Sequence, residues 1–266
     1  MTTRPPAVAG SFYPGNAVDL RRQVEAALLP GPPEREALAV VVPHAGYTYS
    51  GSVAGAVYAR VRVPRDVVLL CFNHRGLGED VAVWAEGAWR TPLGDVPVAE
   101  DLAREVLRLC PGAVADEVGH LGEHSGEVQL PFLRVRRPDV RVVPLALSTG
   151  DFDLLRDVGR ALAALPGDVL VVASTDLNHY EDQATTLRKD AEVIAALERL
   201  DADGIREAVR GGVSMCGFAP AAAACAYAKA KGASRAVTVK HATSGDVSGD
   251  LDRVVGYVGM IVPCGN

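Results

Sequence analysis

Four near-continuous apolar runs, at residues 38–42, 66–71, 140–147 and 168–173, lack the polar alternation of a half-exposed strand. They predict strands buried on both faces. Helical periodicity between and after them predicts helices at 52–61, 99–110, 127–134, 152–165, 186–200 and 219–231. Two further strands are predicted at 236–241 and 254–262, and the segment VWAEGAW predicts a small hairpin turning at Glu86 and Gly87. Strands alternating with helices imply an α/β fold, a three-layer domain around a mostly parallel central sheet. The proline-rich LPGPPERE at 29–36 reads as a loop too near the N-terminus to divide domains. With no repeat and no low-complexity tract, residues 1–266 are expected to form a single domain.

Composition narrows the function more than the fold. A chain of 266 residues with 48% apolar residues can bury a large core, and a net charge of -6 argues against binding nucleic acid, which needs a basic face. Prolines interrupt the opening MTTRPPAVAGSFYPG where a signal peptide needs an apolar core, and no apolar run approaches the ~20 residues that cross a bilayer. A cytoplasmic protein with no membrane partner is the expectation. Five cysteines without paired spacing do not make a disulfide framework, so reduced thiols are expected, with Cys71, Cys110, Cys225 and Cys264 as packing residues.

Ligands of open α/β sheets bind beyond the carboxyl ends of the strands. Three predicted strands end in polar residues suited to chemistry: one runs into Pro43 and His44, one into Asn73 and His74, one into Ser174, Thr175, Asp176 and His179. Three of the six histidines at strand exits suggest a metal or acid/base centre in one crevice. A catalytic ion usually takes three protein ligands, and Asp176, Glu127 and Cys216 are the candidates for the third beside two histidines. Cys216 precedes an alanine-rich helix, where the macrodipole and free N–H groups favour a thiolate.

The stretch HLGEH, His120 to His124, fits the H-x-x-E-H spelling of an inverted zinc metallopeptidase motif. That chemistry needs both histidines on one helical face, and Gly119, Gly122 and Gly126 argue against a helix there. Ser125 reads as a cap for the helix that follows, and His124 as a hydrogen-bonding residue within or near the cleft.

Taken in order, RPPAVAGSFYPG, PHAGYTYSG, FNHRG, EHSGEVQLPFL, STDLNHY, SMCGFAP and HATSGDVSGDLDRVVGYVG resemble the successive motifs of the Memo family, over nearly the whole chain. The bacterial and archaeal branch is component B of a trio, the AmmeMemoRadiSam system, which implies association with a radical SAM protein and a second small protein. The resemblance implies a fold similar to class III extradiol dioxygenases, non-haem iron enzymes. It also implies metal ligands at His44, His74 and Cys216, with Asp176 and His179 as proton-handling residues in the same pocket. Tyr47 and Tyr49 would wall it. A cysteine in place of the dioxygenases' carboxylate suits Fe(II) foremost, with Cu(I) or Zn(II) also fitting. The sequence departs from its relatives before His74, reading LLCFNH where a Gly-Pro pair is common. The leading expectation is an iron- or copper-dependent oxidoreductase working with O2 or a small redox substrate. The alternatives are a binding module that grips a peptide or metabolite in the same cleft, and a metal-dependent hydrolase using HLGEH.

Overall fold

The apolar runs become adjacent strands in the computed structural model, which describes residues 2–28 and 33–264. In chain order the strands are β1 (Thr3–Arg4), β2 (Ala37–Val42), β3 (Asp66–Phe72), β4 (Val81–Val83), β5 (Ala88–Trp89), β6 (Val96–Pro97), β7 (Ala113–Ala115), β8 (Arg141–Leu147), β9 (Val169–Ser174), β10 (His179–Glu181), β11 (Val237–Thr243) and β12 (Val254–Pro263). Nine of them form one sheet in the order β10-β12-β2-β9-β3-β8-β4-β7, with β11 also paired to β12. Its centre, β2-β9-β3-β8, is wholly parallel, and β12 and β4 flank it antiparallel.

The α-helices are α1 (Ala17–Ala27), α2 (Tyr47–Tyr58), α3 (Glu100–Leu109), α4 (Leu130–Arg136), α5 (Phe152–Leu162), α6 (Gln183–Glu198), α7 (Ala202–Arg210), α8 (Phe218–Ala230) and α9 (Gly245–Ser248). Helices α1, α2 and α4 pack together on one face, while α3, α5, α7 and α8 form the layer on the other. Burial on both sides explains why Val40, Val42, Leu69, Leu70, Val171 and Val172 are all inaccessible to solvent, with no alternation. The three-layer α/β architecture expected from the pattern is therefore the one observed. Among the described residues no helix is long and apolar enough to cross a membrane.

Several local expectations need correction. The turn at Gly87 exists, at φ +80°, but β4 and β5 do not form a hairpin: β4 joins the large sheet beside β8, and β5 pairs with β1 and β6 in a three-stranded sheet. Partners distant in sequence outcompeted the local pairing. Helix α2 begins at Tyr47 rather than residue 52, so both tyrosines belong to its first turn. Residues Glu127–Gln129 form a 3-10 turn ahead of α4, and α1 and α7 were not foreseen. Of LPGPPERE, residues 29–32 lie outside the described residues.

Candidate functional site

Because β2, β9 and β3 are neighbours running in parallel, their carboxyl ends open on one edge of the sheet. His44, Asp176 and His74 each stand two residues beyond the last residue of their strand, Val42, Ser174 and Phe72. The fourth segment arrives from the other side. Cys216 lies two residues before α8, and a Cβ at the intervening Gly217 would come within 2.4 Å of Ser174 O and of the Thr175 side chain. Glycine at 217 is what lets this segment approach the end of β9. The resulting pocket, of about 570 Å³, is lined by His44, His74, Asp176, His179 and Cys216 together with Phe12, His124 and Tyr180.

Hydrogen bonds fix which nitrogen of each imidazole faces the pocket. Ser174 Oγ donates to Ser125 O at 2.7 Å, and so accepts from His44 Nδ1 at 3.0 Å and from Gln129 Nε2 at 3.1 Å. His74 Nδ1 donates to Glu123 Oε1 at 3.0 Å, and its backbone N–H donates to Oε2 of the same carboxylate at 2.7 Å. His179 Nδ1 donates to Ser214 O at 2.9 Å. With the proton on Nδ1 in all three rings, the Nε2 lone pairs are left free, as metal-binding or proton-accepting imidazoles require. His44 Nε2 lies 3.1 Å from Cys216 Sγ, and one ligand atom from each of His44, His74 and Cys216 falls within 4.8 Å of the others. Two imidazoles and a thiol at this separation fit a borderline or soft ion and leave a coordination position open.

Burial sets the electrostatics. His44 is held well below the ordinary imidazole range by burial and by the neighbouring His124 and His74, so it is neutral near pH 7. Burial also depresses His179. Asp176 is raised to about 7 by burial, although its Oδ1 accepts the His44 N–H at 2.7 Å. The Cys216 thiol is pushed well up by burial and by Asp176, against the N–H groups near the start of α8. The expectation of a dipole-favoured thiolate is thus corrected: Cys216 sits outside the first turn, and desolvation outweighs the dipole. A cation held there would supply the charge that stabilises a thiolate.

Other readings of the sequence sort out as follows. Asp176 and His179 do line the pocket that His44, His74 and Cys216 share. Tyr47 does not: it is buried, donating to Val128 O at 2.5 Å and packing on Phe132, while Tyr49 is largely exposed outside the pocket. Glu127 is inaccessible and bound by Arg4, the N–H groups of Ala7 and Val8, and the Tyr13 hydroxyl, so it is no ligand of the pocket. Ser125 caps no helix; its Oγ accepts from Phe72 N and donates to Phe72 O, stitching its loop to the end of β3.

HLGEH is not helical, and its two histidines part company. His120 ends a 3-10 turn, with Nε2 donating to Ala82 O at 3.1 Å and its ring edge-on to Trp89 and Trp84. His124 emerges after Gly122, at φ +70°, into the pocket, stacked on His74 at 4.6 Å between centroids. The metallopeptidase arrangement is therefore absent. Glu123, which sequence reasoning left out of the site, and His124, which it expected to hydrogen-bond within or near the cleft, close one side of it. Their ligand atoms also lie near that of His74, but the Glu123 oxygens already accept from His74 N, His74 Nδ1, His124 N and Ser125 N. That saturation makes Glu123 a brace rather than a ligand. Phe72 lies edge-on to His74 at 4.9 Å, and Cys71 packs against Gly126.

Comparison with known proteins agrees with the motifs. Residues 4–261 match the model of the family described as Memo-like protein. A MEMO1 family protein of Aquifex aeolicus is 40% identical over 98% of this chain and 99% of its own. One from Methanopyrus kandleri is 43% identical over 97% and 98%. In fold, the chain is similar to the crystal structure of uncharacterized protein JW3007 from Escherichia coli K12, with a TM-score of 0.56, 17% identity, and coverage of 83% of this chain and 99% of that one.

Proposed function

Since this chain belongs to the Memo-like family, we propose that it is a metal-dependent oxidoreductase binding one ion, Fe(II) foremost and Cu(I) or Zn(II) as other fitting ions, through His44, His74 and Cys216. The observation that carries this reading is the convergence of the three ligand atoms within 4.8 Å, with the Nδ1 positions of both imidazoles already committed to Ser174 and Glu123. When bound, a redox-active ion supplies one-electron chemistry toward O2 or a small redox substrate. The protein's own groups handle the protons. His179 presents a free Nε2 as acceptor, and Asp176, raised to about 7, gives or takes a proton near neutrality.

An anaerobic titration of parent and Cys216→Ser with Fe(II) or Cu(I) tests the ligand set. A hydroxyl is harder than a thiol and stays protonated, so affinity should fall by roughly tenfold or more, while Mg(II) binds poorly to both. Equal affinities in the two proteins would sink the assignment. His179→Ala should keep the ion and lose turnover.

A further inference from the structure

Sheet pairing alone does not aim the His179 ring. Strand β10 meets β12 through two matched pairs, His179 with Val255 and Glu181 with Val254, and the register slips between them, where Tyr180 bulges out at φ +62°. The ring is held instead by a segment from elsewhere in the chain. Ser214 Oγ accepts the His179 backbone N–H at 2.8 Å, and Ser214 O accepts the proton of His179 Nδ1 at 2.9 Å. The tautomer depends on that carbonyl, because a neutral histidine free in water carries its proton mainly on Nε2, the nitrogen left free here.

Asn178 holds Ser214 in turn. It is fully buried, and its amide makes four hydrogen bonds, the most that its two donors and two lone pairs allow. Oδ1 accepts from Ser214 N and from Ser214 Oγ, each at 3.1 Å, while Nδ2 donates to Glu181 Oε2 at 2.7 Å and to Thr186 Oγ1 at 3.3 Å. Its backbone is pinned as well, with the N–H donating to Asp190 Oδ1 at 3.0 Å and the carbonyl accepting from Gly256 N at 2.9 Å. The Nδ2 bonds tie the amide to β10 and α6, which leaves Oδ1 aimed at the Ser214 segment. A buried polar group satisfied on every side fixes orientation as well as filling space.

We propose that Asn178 is a positioning residue: by accepting from Ser214 it fixes the carbonyl that keeps the His179 proton on Nδ1, and so keeps Nε2 available to the pocket. The use of that Nε2 as a proton acceptor rests on the function proposed above; the tautomer does not.

Nitrogen-15 NMR of histidine-labelled, metal-free protein reads the tautomer directly at pH 7, where burial keeps His179 neutral. Loss of one signal in His179→Gln assigns it among the six histidines. The parent should show Nδ1–H. Asn178→Ala releases Ser214 and should move the tautomer ratio toward Nε2–H by about fivefold, what one net hydrogen bond supplies. Asn178→Asp keeps an oxygen toward Ser214 but gives up both Nδ2 donations and sets a second carboxylate against Glu181, so it should melt lower than the parent and still show Nδ1–H. A merely structural role would instead make the tautomer follow the melting temperature. Where the alanine variant does not fold, Asn178→Ser, polar but too short to reach Ser214, takes its place.

The parent's tautomer ratio in a folded Asn178→Ala or Asn178→Ser overturns the proposal and gives the ring to Leu177, whose backbone also acts on it. Nε2–H in the parent or in Asn178→Asp overturns it too. Either failure leaves the metal site standing, whereas equal Fe(II) or Cu(I) affinity in the parent and Cys216→Ser removes the metal site and leaves the tautomer result intact.

Discussion

Glu123 and Glu127 occupy one loop, four residues apart, and both are buried to within 1% of full burial, but their partners differ in kind. Glu127 meets a permanent charge: Arg4 Nη1 donates to it at 2.7 Å, with Tyr13 and two backbone N–H groups completing the shell. Glu123 meets the His74 ring and three backbone N–H groups. A carboxylate paired with a guanidinium fixes chain segments to each other. One paired with an imidazole fixes the ring while raising its basicity toward the pocket. Arg4 couples the two ends, since it also donates to the carbonyls of His120 and Glu123. One loop therefore serves the scaffold at one end and the chemistry at the other.

Breaking the scaffold end should have the largest effect. Glu127→Ala leaves Arg4, 1% exposed, as an unpaired buried charge and frees the Tyr13 hydroxyl and the backbone of residues 7 and 8. Loss of one partner from a buried pair costs about 3–5 kcal/mol. Denaturant unfolding should show that loss. A change under about 1 kcal/mol would mean that water reaches Arg4 and that the pair is not structural.

Breaking the site end should cost binding before it costs folding. In Glu123→Gln one carboxylate oxygen becomes an amide N–H2, which cannot accept from the N–H groups that converge on it. His74 then loses its orientation, and losing such a supporting partner typically lowers metal affinity about 10- to 100-fold. An Fe(II) or Zn(II) titration checks this against unfolding of the same variant. Unchanged affinity with a stability loss as large as that of Glu127→Ala would erase the contrast between the two carboxylates.

The same contrast explains what was legible in the sequence. The strand exits were legible because an apolar run of five to eight residues reports a buried strand directly, and adjacent parallel strands must bring His44, His74 and Asp176 to one edge. Cys216 entered through its place before an alanine-rich helix and through the Memo motif. Glu123 was missed and His124 was given only a place within or near the cleft, although their glycine-rich stretch was read rightly as non-helical. The His74–Glu123 contact joins residues 49 apart through a loop, and no local periodicity reports such a return. Tyr180 was hidden for a related reason, since a bulge against β12 is a register event between segments more than 70 residues apart. Helix α1 was missed because its buried stripe is only Leu20 and Val24, too few apolar positions to show a period.

The smallest effect is expected at His120, which shares the loop but neither of its tasks. His120→Phe removes the hydrogen bond to Ala82 O and also removes Nδ1, a buried atom with no partner among the described residues. The two changes oppose each other, so stability at pH 7 should shift by no more than about 1 kcal/mol, and metal affinity should stay within about twofold of the parent. Acid separates the proteins. Burial lowers His120 from 6.5 to about 4, so between those values the unfolded chain binds a proton that the folded one refuses. Stability from this group is fully present above pH 6.5 and is lost as pH falls toward 4. Phenylalanine carries no such linkage. At pH 5 the variant should therefore retain about 2 kcal/mol more of its neutral-pH stability than the parent does. Denaturant unfolding of both metal-free proteins at pH 7 and pH 5 makes the comparison. Parallel losses in the two would show that His120 does not stay neutral in the core, and a drop in metal affinity would return it to the site from which its place between Trp84 and Trp89 excludes it.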